Sequence, residues 1–190
     1  MQTRRCAQCR KKLPATEAII SRLKSFCSVQ HLAEYGKSEQ AKQYAAKSKA
    51  KETKERKNKL KTRSEWQKEA QKAFNEYIRV RDRGKPCISC EAYIGSSGHG
   101  NDCDAGHYRS RGSAPTEFHT QNVHAQCKKC NRYLGGNIVE YRLGLIQRIG
   151  IEKVEAVEQD NRPRHYTIED YKRIIKLSKK GVKRERRYEQ

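Results

Sequence analysis

The chain is short of apolar residues. They make up 34% of its 190 residues, with one Trp, one Met and three Phe. Such a composition cannot build one large core from the whole length, so at least one stretch has to be an exposed helix or a linker. Long hydrophobic runs are missing as well. Runs such as Ala18-Ile19-Ile20 are only a few residues long, which excludes a transmembrane helix, and the first six residues hold no signal-peptide apolar region. These absences place the protein away from membranes and in a cytoplasm, where thiols stay reduced. Acidic residues are also scarce, 22 against 43 Lys and Arg, for a net charge of +21.

Cysteine, by contrast, is plentiful. Cys6, Cys9, Cys27, Cys87, Cys90, Cys103, Cys127 and Cys130 include three C-x-x-C pairs. In a reducing compartment this spacing reads as metal binding, because two cysteines three apart can both point into one tight turn. Cys6, Cys9, Cys27 and His31 suit one structural Zn²⁺ site, and Cys87, Cys90, Cys127 and Cys130 a second, closed one. Zinc would supply folding free energy that a small core cannot. Cys103 is left over and reads as a free buried thiol.

The charge is uneven. Residues 1–63 hold 18 basic and 5 acidic residues, net +13, and residues 64–190 hold 25 and 17, net +8. A soluble, basic zinc protein points to nucleic acid as partner, although lysine-rich helices can also serve solubility alone.

Residues 1–36 read as an N-terminal zinc module of two knuckles and a short hairpin. Residues 37–63 are rich in Lys, Ala, Glu and Gln without an apolar stripe, which predicts a long charged helix or linker. From 64 the pattern changes. Ser64 as N-cap with Gln67 three later predicts a capping box. Trp66, Ala70, Phe74, Tyr77, Ile78 and Arg81 recur at helical spacing up to Gly84 and Pro86. Beyond the second zinc site, Asn137 is expected to cap a helix to about 149, with Ile138, Tyr141, Leu145, Ile146 and Ile149 on one face. A short helix follows over 152–158. Thr167 is expected to cap a helix through about 179, closed by Gly181, with a mobile basic tail. The domains are therefore 1–36, 37–63, 64–150, and 151–190 as C-terminal helices and tail.

Between the knuckles of the second zinc site lies C-D-A-G-H-Y-R-S-R-G, residues 103–112, and its second knuckle reads N-V-H-A-Q-C-K-K-C-N, residues 122–131. Phosphodiester hydrolysis needs an activated water, neutralised phosphate charge and help for the leaving oxygen. His107 is the candidate general base, since imidazole titrates near neutral pH. Gly106 leaves room for close approach. Asp104 and Asn131 are oxygen donors suited to Mg²⁺ or Mn²⁺, with His124 as a further ligand or phosphate contact. Asn122 would bond the loop or ring of His107 and fix its orientation. Arg109 and Arg111 can grip phosphates, as can Lys128, Lys129 and Arg132. His99 and His119 read as loop residues, and His165 lies far off.

These strings resemble the HNH nucleases, in the variant with Asn in place of the last His. Across essentially the whole chain the arrangement resembles the NinG (Rap) recombination nucleases of lambdoid phages. The resemblance implies an α+β fold: a small zinc-braced ββα-metal domain with flanking helices, preceded by the zinc module and the charged helix. It implies a metal-dependent endonuclease in which His107 and Asn122 are catalytic, acting on branched DNA such as Holliday junctions and D-loops in the bacterial host cytoplasm. Many relatives place the acidic ligand beside the catalytic His, whereas Asp104 is three residues upstream. A homodimer would set two centres on opposed strands. The competing readings are a zinc-containing nucleic-acid-binding accessory protein without catalysis, and an adaptor whose zinc module recruits a host protein.

Overall fold

The break between the two units of the chain falls after Lys61, where a helix ends and Thr62 caps the next. The structure, a computed structural model, describes residues 2–21, 24–95, 103–110, 112 and 114–188. Helix and strand are mixed, as expected for an α+β chain.

In unit Met1–Lys61, β1 (Thr3–Arg5) pairs antiparallel with β2 (Lys12–Pro14), and β3 (Ile19–Ser21) with β4 (Lys24–Phe26). A bridge between Cys6 and Ser25 joins the hairpins. Among the described residues its core is Cys6, Leu13 and Phe26, flanked by residues such as Leu32 and Tyr35. Helix α1 (Val29–Lys37) starts where the Ser28 hydroxyl accepts from the His31 amide at 3.2 Å. Helix α2 (Glu39–Leu60) buries no residue, as its lack of an apolar stripe requires.

In unit Thr62–Gln190, helix α3 (Arg63–Arg81) buries Trp66, Ala70, Phe74 and Ile78, the face its periodicity predicts. Its capping box differs from the expected one. Thr62, not Ser64, is the N-cap. Its hydroxyl accepts from the Glu65 amide at 3.3 Å, and the Glu65 carboxylate accepts from the Thr62 amide at 2.7 Å. A carboxylate is the stronger acceptor there, and Gln67 instead donates to the Glu117 side chain at 3.1 Å.

Hairpin β5 (Asp104–His107) and β6 (Val123–Gln126) sets Asp104 opposite Gln126 and His107 opposite Val123. It rests on α3 through Ala105, Val123, Phe74 and Ile78. A π-helical turn, Lys129–Tyr133, follows the last knuckle. Helix α4 (Ile138–Ile149) buries Tyr141 and Leu145, and α5 (Ile151–Gln159) buries Val154 and Val157. Asn137 stands at the N-cap position of α4 but with φ 45° and no cap bond. Its amide instead donates to the Cys130 sulfur at 3.7 Å. Ile138, expected inside, is 43% exposed.

Helix α6 (Ile168–Arg187) is capped by Thr167, as read, but does not stop at Gly181. A Cβ at Gly181 would overlap the Tyr77 ring, so this glycine lets α6 lie close against α3 and does not end the helix. Buried Val182 carries the apolar stripe onward. The expected mobile tail is therefore helical to Arg187. Residues 151–190 also belong to the same unit as the hairpin, because Tyr171 and Ile175 close the core around Trp66 and Ala70. Among the described residues no helix is long and apolar enough to cross a membrane.

Candidate metal centres and cleft

Arg10 and Glu91 each follow the second cysteine of a C-x-x-C pair, and both have positive φ, 65° and 56°. Their amides donate back to the carbonyls of Cys6 and Cys87 at 2.9 and 3.0 Å. Each turn thereby curls both cysteines to one side. Two donor sets result, with ligand atoms all within 4.8 Å of one another: Cys6, Cys9, Cys27 and His31, and Cys87, Cys90, Cys127 and Cys130. The Cys9–Cys27 and Cys90–Cys127 sulfurs are 3.6 and 3.8 Å apart. Four sulfurs about 2.3 Å from a shared zinc would be roughly 3.8 Å apart, so the sets fit a tetrahedral ion.

The thiols cannot all ionise unaided. Burial pushes Cys6 up, but backbone amides of Cys9, Cys27 and Gln8 outweigh it and bring the thiol down to about 6. Burial and then the neighbouring Cys9 and Cys6 sulfurs push Cys27 up to about 11. In the second set Cys87 is lowered, while burial pushes Cys130 up to about 12. A divalent cation removes this mutual repulsion. Cys103 is buried against the second set, among Cys87, Ile94, Ala125 and Cys130, but is not one of its ligands.

Beside this second set lies an open cleft of about 600 Å³. Asp104, His107, Asn131 and Arg132 from the expected motif line it, joined by Asn75 and Arg79 of α3. The His107 Nε2 is 3.1 Å from the Glu117 carbonyl. A carbonyl only accepts, so Nε2 carries the proton and the ring lone pair is on Nδ1. The Asp104 carboxylate accepts two bonds from Arg132, at 2.6 and 2.7 Å, and one from the Asn131 amide at 2.9 Å. The Arg132 guanidinium foremost, with Asn131, holds its carboxyl below the usual range. Among the described residues only the two cysteine sets bring together three or more His, Cys or carboxylate donors.

Asn122 is fully buried, and its side-chain hydrogen bonds go to backbone groups. Its Oδ1 accepts from the Arg109 amide at 2.8 Å, and its Nδ2 donates to the carbonyls of Arg109 and Thr116, each at 3.0 Å. It thus ties the segment after His107 to the residue before Glu117. Tyr141 supports the hairpin from below: its hydroxyl donates to the Gly106 carbonyl at 2.9 Å and accepts from the His124 amide at 3.0 Å. A Cβ on Gly106 would overlap the Gln126 side chain, so the space at this glycine is filled by the protein itself.

Two expected site residues are placed elsewhere. His124 is buried away from the cleft. Its Nδ1 accepts from Arg81 at 3.0 Å, and its Nε2 lies 3.3 Å from the Gln121 carbonyl. Burial pushes its pKa down, and both ring nitrogens are engaged within the fold. Asp82, with its side chain fully buried, holds this region together, bonding Arg81, Lys85 and the Ala125 amide. Arg109 is also committed. It donates to the carbonyls of Val157 and Asp160, at 2.9 and 2.6 Å, and to the Asn161 side chain at 2.7 Å. It clamps the end of α5, where unsatisfied carbonyls gather, and its fork is not free for phosphate. Lys128 and Lys129 lie in the turn of the second cysteine set, half-buried and exposed. Arg111 and His99 lie outside the described residues. His119 is half-buried near Asp160 and Arg164. Arg79 and Glu117 were not read from the sequence, since neither lies in a motif.

A family model described as the bacteriophage lambda NinG protein matches residues 1–189. Protein ninG of Salmonella phage P22 is 46% identical over 120 residues, which cover 63% of this chain and 57% of that protein. Protein ninG of Escherichia phage lambda is 46% identical over 120 residues, 63% of this chain and 56% of its own. Protein ninG of Enterobacteria phage H19B is 43% identical over 129 residues, 67% and 62% of the two chains. The chain thus spans little more than half the length of the first two relatives. No solved structure matches it.

Proposed function

The chain belongs to the NinG family, and on that premise we propose that it is a phage recombination protein: an HNH-type, metal-dependent endonuclease that cleaves branched DNA such as Holliday junctions and D-loops. The observation that carries this reading is the convergence of His107, Asp104 and Asn131 on one cleft. The Glu117 carbonyl fixes the ring so that Nδ1 accepts the proton of an attacking water. Asn122 positions this base through the backbone that follows it, at Arg109 and Thr116. Asp104 and Asn131 would hold Mg²⁺ or Mn²⁺, one carboxylate and one amide oxygen with room for water and phosphate. Such an ion, when bound, offsets phosphate charge and stabilises the leaving oxygen.

The two cysteine sets hold structural Zn²⁺, and the second braces the hairpin that carries His107. Basic side chains, Lys128, Lys129 and Arg132 among them, bind the DNA backbone. A homodimer would act on both strands of a junction, and sedimentation of the protein on a junction reads its state. The test of the whole reading uses zinc-loaded protein with labelled four-way junction, D-loop and linear duplex, with and without Mg²⁺. Mg²⁺-dependent cutting of the branched substrates supports it. Tight binding without cutting in Mg²⁺ or Mn²⁺ overturns the nuclease and leaves a zinc-braced DNA-binding accessory protein, the reading favoured by the Arg132 fork that covers Asp104.

A further inference from the structure

The cleft has a second wall that the motif does not supply. Asn75 and Arg79 stand one turn apart on α3 and both line it, so they share one helix face. Arg132, the other guanidinium lining the cleft among the described residues, is neutralised by Asp104. Arg79 has no ion pair or hydrogen bond among the described residues, and its Nε is a buried donor without a partner. Burying such a group uncompensated is costly, and an anion in the cleft would compensate it. The Asn75 Oδ1 accepts from Gln71 at 2.7 Å. That bond sets the amide and leaves Nδ2 as the end available to donate.

We propose that Arg79 and Asn75 form a phosphate-binding subsite in the cleft that Asp104 and Asn131 also line, taking a backbone phosphodiester of the bound DNA strand. An anionic oxygen would satisfy the orphan Nε and a terminal nitrogen of Arg79 together, in the forked geometry that guanidinium offers to phosphate. The inference rests on the DNA-binding part of the proposed function and does not require cleavage.

The test is fluorescence anisotropy of the full chain on a labelled four-way junction across a salt series, with no divalent ion added. Arg79→Gln should weaken binding by about tenfold or more and flatten the log–log salt dependence by about one phosphate contact. Arg79→Lys should keep the salt slope and lose affinity, because it retains charge without the fork. Asn75→Ala should lose less. Lys153→Gln, an exposed charge on α5 outside the cleft, should leave affinity nearly unchanged. Circular dichroism and the zinc content of each variant establish that it is folded. If Arg79→Gln and Arg79→Lys both bind as the wild type does, the subsite is wrong whether or not the protein cuts DNA. If Arg79→Gln behaves only like Lys153→Gln, the effect is net charge and the subsite is again wrong. If the wild type binds the junction but does not cut in Mg²⁺, the nuclease reading fails while the Arg79 result stands on its own. A wild type that binds no DNA overturns both.

Discussion

The His107 imidazole donates its Nε2 proton to the Glu117 carbonyl across 3.1 Å. This one bond decides which ring nitrogen faces the chemistry. On the proposed nuclease reading, Nε2 is used by this bond and Nδ1 is the nitrogen that takes the proton of the attacking water. His107→Ala should therefore abolish metal-dependent junction cutting, by at least about 100-fold, and leave junction affinity within about twofold. Parallel gel cleavage and anisotropy on the same preparation check this. Loss of binding in step with loss of cutting would show a structural role instead.

Asn122 makes three bonds to the backbone that follows His107, at Arg109 and Thr116. Asn122→Ala leaves buried backbone groups unpaired, at about 1–3 kcal/mol each. The expected result is a lower Tm together with reduced cutting, whereas His107→Ala reduces cutting alone. Thermal melts of the two variants separate positioning from chemistry.

Each cysteine set should hold one zinc ion. Purified protein is expected to carry two zinc ions per chain by atomic emission. Cys127→Ser should remove one and destabilise unit Thr62–Gln190, since zinc binding is coupled to folding. Cys103→Ser should retain both, because Cys103 packs beside the site without joining it. Two zinc ions lost together in Cys127→Ser would contradict separate sites.

Asp82 is held charged within the fold. Burial alone would raise its pKa, but the His124 ring beside it and then the Arg81 guanidinium bring it below the usual carboxylate range. A group whose folded pKa is depressed contributes stability at pH above its unfolded value, near 4, and loses it as pH falls through the folded value. Asp82→Asn should thus cost about 3 kcal/mol at neutral pH, where it strands Arg81. The gap between variant and wild type should narrow below about pH 4. Denaturant melts across pH measure this, and a constant gap would refute it.

The capping box predicts a local contrast. Thr62→Ala should cost about 1 kcal/mol, whereas Ser64→Ala, in the first turn of α3, should be close to neutral. Equal costs would contradict the placement of the helix start.

What the sequence determined is local. Three C-x-x-C pairs, each closing within a four-residue turn, already specify which sulfurs can meet. The period of Trp66, Ala70, Phe74 and Ile78 specifies the buried face of α3 before any partner is known. The motif around His107 and Asn131 likewise marks the wall of the cleft, since a hairpin keeps such residues near each other. What the tertiary structure decided is the partner of each long polar side chain. Arg109 was read as a phosphate grip because it sits beside the base, yet it is taken by Asn161, 52 residues away. His124 lies in the same motif but is drawn to Arg81, 43 residues earlier. Arg79 carries no motif, and only the packing of α3 against the hairpin brings it to the cleft. Turn geometry and hydrophobic period act over a few residues, so they show in one sequence. A charge finds its partner by where whole elements dock, and that is set by the core as a unit.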